Sequence, residues 1–170
     1  DPSSPDKLIG PLIHETAYRD MVGALEQARA EGGEVIGGEL VERATAGHFL
    51  TPALVLGTRA DDTINRDEVF GPVVSVVRVH DYEEALAVAN SSRMNLSAGI
   101  CTTSLATATH FRRHSKAGMV MVNLPTAGVD FHVPFGGRGD SSHGQREQGF
   151  AAVDFFTTSK TAYTAPGQPG

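Results

Sequence analysis

Along residues 15–31 the apolar positions Tyr18, Met21, Val22, Leu25 and Ala28 return at helical spacing with charged residues between them, so the stretch predicts an amphipathic helix. Gly32-Gly33 stand where a left-handed cap would end it. Two extended stretches follow, 34–36 and 49–56, separated by a polar, glycine-containing segment; they suit a hairpin or a pair of neighbouring strands. From Val73 the pattern becomes a β-branched run, Val73-Val74-Ser75-Val76-Val77-Arg78-Val79, which predicts a strand. Asp81 and Glu84 then form a capping-box arrangement that opens a helix carrying Leu86, Val88 and Ala89. Residues 97–102 are expected to be the next buried strand, 104–116 a helix closed by Gly118, and 119–122 a third strand.

Alternation of strand and helix implies right-handed crossovers, so the expected fold class is α/β: an open, mostly parallel sheet with flanking helices. Ligands of such sheets bind beyond the carboxyl ends of the strands, which puts the long irregular segment 123–149 at the working edge. Its many glycines and few charges favour an ordered, backbone-rich loop. Residues 155–164 alternate weakly and are expected to form a C-terminal extended strand, and the Pro/Gly-rich 165–170 a frayed tail. No internal repeat is present.

Composition narrows this picture. A chain of 170 residues, 40% of them hydrophobic, is expected to bury one core in a single compact domain. The formal charge is -6, and the three lysines (Lys7, Lys116, Lys160) and eleven arginines are scattered, which speaks against a nucleic-acid partner. No stretch reaches membrane-spanning length, and Asp1-Pro2-Ser3-Ser4-Pro5 has neither the basic region nor the apolar core of a signal peptide; no membrane partner and a cytoplasmic location are expected. The lone Cys101 cannot close an internal disulfide, in agreement with a reducing compartment. A chain that opens on Asp-Pro without an initiator Met is expected to continue upstream in the natural protein.

Asp67-Glu68-Val69-Phe70-Gly71-Pro72, followed by a β-branched strand, resembles the E-[IV]-F-G-P-V signature of the aldehyde dehydrogenase superfamily. A second run is similar in order and spacing to that family's G-x-V-x-V-N, P-F-G-G and G-x-R-E-x-G motifs: Gly118 to Asn123, then Pro134-Phe135-Gly136-Gly137, then Ser142 and His143 to Arg146-Glu147-Gln148-Gly149. Even the opening, Asp1-Pro2 with Gly10-Pro11-Leu12-Ile13, resembles the segment just downstream of the family's catalytic cysteine. Within the family, Asn123-Leu124-Pro125-Thr126-Ala127-Gly128-Val129-Asp130 and Arg146-Glu147-Gln148-Gly149 look most like ketoglutarate semialdehyde dehydrogenases. Gly139-Asp140-Ser141 is a departure, since related enzymes often carry a basic residue in this turn.

The resemblance implies the distal part of the family's catalytic domain over residues 1–153 and an oligomerisation strand over 154–164, with NAD or NADP as cofactor, a small aldehyde as substrate and a homo-oligomer as assembly. It implies a covalent mechanism in which a cysteine thiolate attacks the aldehyde, hydride leaves to the nicotinamide, and water hydrolyses the thioester. In the family the cysteine, the glutamate base, the oxyanion asparagine and the dinucleotide-binding fold precede the part matched here, so the chain alone is expected to be inactive. Consistent with this, Gly136-Gly137-Arg138-Gly139 lacks the strand-turn-helix context of a phosphate cradle.

Carried over residue by residue, the resemblance makes Glu68 a binder of the nicotinamide ribose hydroxyls, a task suited to a carboxylate that accepts from two vicinal groups. Phe70 would pack beside the nicotinamide and limit its freedom. Phe135 would line the substrate tunnel, with Leu124, Pro125, Thr126 and Val129 at its mouth. Glu147 would be a proton relay, against the plainer alternative of a charge pair with Arg146 or another surface charge. Cys101, the only thiol, falls inside the expected strand 97–102 and is read as a buried, inert core residue. His110 and His114 are spaced like a zinc helix but have Arg112 and Arg113 between them and no acidic or cysteine partner at ligand spacing; they are read as exposed helix residues, with no metal site. The alternative of another class is a non-catalytic binding or oligomerisation module joined through 154–164. A hydrolase is disfavoured because no nucleophile elbow is present.

Overall fold

The computed structural model of the chain describes residues 9–167. Two expectations reach beyond them: the resemblance of Asp1-Pro2 and the last residues of the tail lie outside the described residues.

Helix α1 spans Glu15–Ala30, with the His14 ring nitrogen accepting from the Ala17 amide at 3.0 Å as its N-terminal cap. Its end is a Schellman turn. Gly33 N–H donates to the Ala28 carbonyl at 2.8 Å and Gly32 N–H to that of Arg29 at 3.1 Å, with Gly32 at a φ of 97° that a side chain would disfavour. Met21, Leu25 and Ala28 on its inner face are buried with Ala53, Val55 and Ile64, and Leu12, Val35, Leu50, Val69 and Val73 pack around them. Fully burying side chains such as Met21, Leu25 and Val55 stabilises the fold by roughly 1.5–3 kcal/mol each.

Strand β1 (Glu34–Gly37) pairs antiparallel with β2 (Ala53–Thr58). The extended stretch expected from residue 49 is interrupted before β2. Residues 39–41 and 49–51 still face each other through Val41 to Phe49 and Thr51 to Glu39 backbone bonds, but Pro52 has no N–H to continue a ladder. A short helix, α2 (Thr63–Arg66), follows, unannounced by the apolar pattern. Its first amide and hydroxyl, both of Thr63, are held by the Glu31 carboxylate at the end of α1, at 3.0 and 2.6 Å. Hydrogen bonds from Gln27 and then Thr63 draw Glu31 below its ordinary carboxylate pKa.

Strand β3 (Val73–Val77) pairs parallel with β2, and α3 (Tyr82–Ala89) begins at Asp81, whose side chain accepts from the Glu84 amide. The reciprocal half of the capping box is shifted by one residue. Glu84 accepts from the His80 amide at 2.7 Å and meets the His80 ring at 2.8 Å.

The remaining elements are β4 (Met94–Asn95), β5 (Ser97–Ile100), α4 (Leu105–His114), β6 (Met119–Val122), β7 (Arg138–Gly139) and α5 (Ala151–Phe156). Strands β5 and β6 are parallel, and β4 and β7 antiparallel. The α/β class therefore stands, with a mixed three-stranded sheet β1-β2-β3 and two two-stranded sheets among the described residues.

Three expectations are corrected here. The single core becomes two compact units, residues 1–93 and 94–170, and the cluster around Met21 and Val55 belongs wholly to the first. Gly118 does not close α4, which ends on an extended Ser115; it is a close-approach residue instead, since a Cβ there would lie 2.1 Å from the Gly136 carbonyl oxygen. The strand expected at 155–164 is absent among the described residues: Ala151–Phe156 is helical and 157–167 forms no ladder.

Candidate functional site

The candidate residues fall into two groups, one in each unit. In the first unit, the segment 67–72 is pinned from both sides. Asp67 N–H donates to the Thr63 carbonyl at 2.9 Å, Val69 packs against the core, Gly71 sits so close to Met21 that a Cβ would lie 2.8 Å from its sulfur, and the Pro72 carbonyl accepts from Ala53 of β2 at 2.9 Å. Pinning every second residue leaves Glu68 and Phe70 projecting. Glu68 is exposed, and Phe70 is 81% exposed with a φ of 51°, a left-handed conformation that is an outlier for a bulky side chain and costs about 1–3 kcal/mol. An exposed aromatic ring on a strained backbone contributes little to the fold that holds it.

In the second unit, P-F-G-G and R-E-x-G come together across a loop. Phe135 N–H donates to the Glu147 carbonyl at 2.6 Å and Glu147 N–H donates back at 2.9 Å, an isolated antiparallel bridge. Phe135 is half-buried and Glu147 exposed. Among the described residues no ion pair joins Glu147 to Arg146; the guanidinium Nη1 of Arg146 donates instead to the Gly137 carbonyl at 2.8 Å.

Leu124, Pro125 and Thr126 are exposed, and Val129 is half-buried. The loop carrying them folds back over β5: a Cβ on Gly99 would lie 3.0 Å from the Thr126 methyl. Its start is fixed by Asn123, which the sequence marks only as part of a motif. With a φ of 56° it clasps Thr102 twice, its Oδ1 accepting from the Thr102 amide at 2.8 Å and its Nδ2 donating to the Thr102 carbonyl at 2.9 Å. The available signal is an asparagine directly after an apolar strand, the residue besides glycine that best tolerates this conformation. A shallow cleft of about 610 Å³ opens beside the glycine-rich turn, lined by Arg138, Ser142, Gln145 and Asp154 among others. It takes in neither Phe135 nor the 124–129 loop, so the expected tunnel residues are not gathered in that cleft.

Cys101 is corrected: it is exposed, one residue beyond the point where the two-stranded ladder and β5 end at Ile100. His110 is half-buried rather than exposed. Its ring stacks on that of His114 with centroids 3.9 Å apart, and among the described residues no group of three or more potential metal ligands exists.

The family model described as Aldehyde dehydrogenase family matches residues 1–162, which contain both motif segments. The chain belongs to the aldehyde dehydrogenase family. Among curated aldehyde dehydrogenases, the alpha-ketoglutarate semialdehyde dehydrogenase of Haloferax volcanii is 41% identical over 93% of this chain and 34% of its own length. The alpha-ketoglutaric semialdehyde dehydrogenase of Bacillus subtilis is 37% identical over 95% of this chain and 34% of its own. The chain thus spans about a third of the length of the curated relatives it matches. Among solved structures, an NAD-dependent aldehyde dehydrogenase from Sinorhizobium meliloti superimposes with a TM-score of 0.89 at 30% identity, over 100% of this chain and 33% of that one. The NAD+ complex of an aldehyde dehydrogenase from Bacillus cereus does so with a TM-score of 0.84 at 32% identity, over 91% and 31%. No helix among the described residues is long and apolar enough to cross a membrane.

Proposed function

We propose that this chain is the C-terminal portion of an NAD(P)-dependent aldehyde dehydrogenase that oxidises ketoglutarate semialdehyde, or a similar small aldehyde, to the acid in the cytoplasm. The observation that carries the reading is the presentation of Glu68 and Phe70 on a turn whose intervening Val69 is anchored in the core. A rigid turn that leaves a carboxylate and an aromatic face in solvent suits a ribosyl nicotinamide. Glu68 accepts from vicinal hydroxyls, and Phe70 restricts the ring to orientations that favour transfer. The cofactor supplies a hydride acceptor when bound.

In the second unit the half-buried Phe135 walls the aldehyde's path, Leu124, Pro125, Thr126 and Val129 shape the entrance, and the exposed Glu147 carboxylate passes protons to and from solvent. The substrate class is supported by the semialdehyde dehydrogenases named above, and the cofactor by the NAD+ complex from Bacillus cereus. The nucleophile is assigned to sequence outside this chain, not to Cys101. Residues 154–164 are assigned to assembly in an oligomer; the exposed apolar side chains of Phe156 and Tyr163, with Val153 just before them, and the absence of a ladder over 157–167 support this.

The test compares NAD-dependent oxidation of ketoglutarate semialdehyde and of a simple aliphatic aldehyde by the 170-residue chain and by the full open reading frame that contains it. Turnover by the longer protein alone, faster on the semialdehyde, is the expected result. Turnover by the short chain that Cys101→Ala abolishes would overturn the assignment of the nucleophile.

A further inference from the structure

The most crowded place in the second unit is the surroundings of the Arg146 guanidinium. Its Nη1 donates to the Gly137 carbonyl at 2.8 Å. A Cβ on Gly118 would stand 2.7 Å from the same nitrogen and 2.1 Å from the Gly136 carbonyl oxygen, and one on Gly136 would stand 2.8 Å from that nitrogen and 3.2 Å from the Arg146 Cδ. Three segments far apart in sequence, the residue before β6, the P-F-G-G turn and the R-E-x-G segment, therefore share one small volume with the guanidinium in its midst. Side chains at Gly118 and Gly136 would fill it.

This volume adjoins the Phe135–Glu147 bridge on both sides, since Gly136 follows Phe135 and Arg146 precedes Glu147. Two backbone hydrogen bonds with no neighbouring ladder hold a loop weakly against its closure entropy. A cationic donor to a carbonyl is a stronger tie than a neutral one, and the planar guanidinium fits a slot lined by glycine backbone.

We infer that Arg146 is a positioning residue that, through Gly137 and the glycine cradle, fixes the relative placement of Phe135 and Glu147. Its consequence for turnover rests on the roles proposed above for those two residues; its structural content does not. Amide hydrogen exchange in the 170-residue chain tests it. Arg146→Ala should lose about tenfold protection at the Phe135 and Glu147 amides. Protection should stay unchanged at the Asn123 amide, which is bonded to Ile100 in the same unit. Unchanged protection at Phe135 and Glu147 overturns the inference, and so does an equal loss at Asn123, which would make Arg146 a general stability residue. Should the alanine variant not fold, Arg146→Gln is read by the same criteria.

In the full open reading frame, Arg146→Ala should lower kcat for the aldehyde about tenfold with the KM for NAD unchanged. A full-length wild-type protein without aldehyde oxidation would sink the functional reading while leaving the exchange result to decide the placement.

Discussion

At the scale of single residues, the sharpest feature is Phe70, whose ring is exposed and whose backbone is strained. A residue kept for packing would have neither property. Phe70→Gly removes the strain and little buried area, so the urea midpoint of the chain should stay the same or rise, with a gain of up to about 1 kcal/mol. A loss of more than about 1 kcal/mol would show that the ring serves the fold instead. The titration of His80 and Glu84 makes a second case. The Glu84 hydrogen bond and charge hold His80 above its ordinary value of 6.5, while hydrogen bonds from the His80 amide and ring hold Glu84 below 4.5. The contribution from His80 is full below 6.5 and is lost as pH rises through its raised value; that from Glu84 is present above 4.5 and is lost as pH falls through its lowered value. The start of α3 is therefore best held between those limits. An NMR titration should put the His80 midpoint above 6.5 and bring it back toward 6.5 in Glu84→Gln. The capping box was legible from Asp81 and Glu84, but its shift onto His80 was not, because the position of a side-chain acceptor depends on how the chain enters the helix.

At the scale of elements, α1 shows how much a local pattern specifies. Its apolar face and its glycine end both agree with the sequence reading, since helix hydrogen bonds and the Schellman turn close within a few residues. Strand ends and loop clasps behave differently. Asn123 holds the carboxyl end of the β5–β6 pair by bonds to Thr102, a partner 21 residues away. Asn123→Ala loses both bonds and keeps a side chain in left-handed backbone, and should cost about 1–2 kcal/mol. Asn123→Gly loses the bonds but relaxes the backbone, so it should cost measurably less. Thermal unfolding of the two variants checks this; equal costs would mean that the left-handed conformation is not a constraint there. Gly118 carries the same lesson. Its position after a helix suggested a cap, yet its requirement for glycine comes from Gly136 across the unit.

At the scale of the whole chain, the division at Arg93 and Met94 was invisible to length and composition, which report how much apolar surface exists and not where it gathers. Weak alternation predicts a strand for the C-terminal segment, whereas the structure has a short helix followed by residues without a ladder. Its Phe150, Phe156 and Tyr163 are large apolar side chains left exposed. Sedimentation velocity over a range of concentrations should show self-association, and the double variant Phe156→Asp and Tyr163→Asp should shift the chain to monomer. A wild-type chain that stays monomeric throughout would count against an assembly role for 154–164.

The sequence by itself determined the features whose causes lie within one turn or one motif: α1 and its cap, the β-branched strand after Pro72, the opening of α3, and the family, through motif residues kept in register. Tertiary structure decided what depends on residues remote in the chain. It projected Phe70 by anchoring its neighbours, bridged Phe135 to Glu147, made Arg146 a donor to Gly137, brought Cys101 to the surface and distributed the strands over separate sheets. The physical reason is common to all of these. A backbone group or a crowded Cβ is satisfied or excluded by whatever lies beside it in space, and an apolar or polar pattern along the chain carries no record of that neighbour.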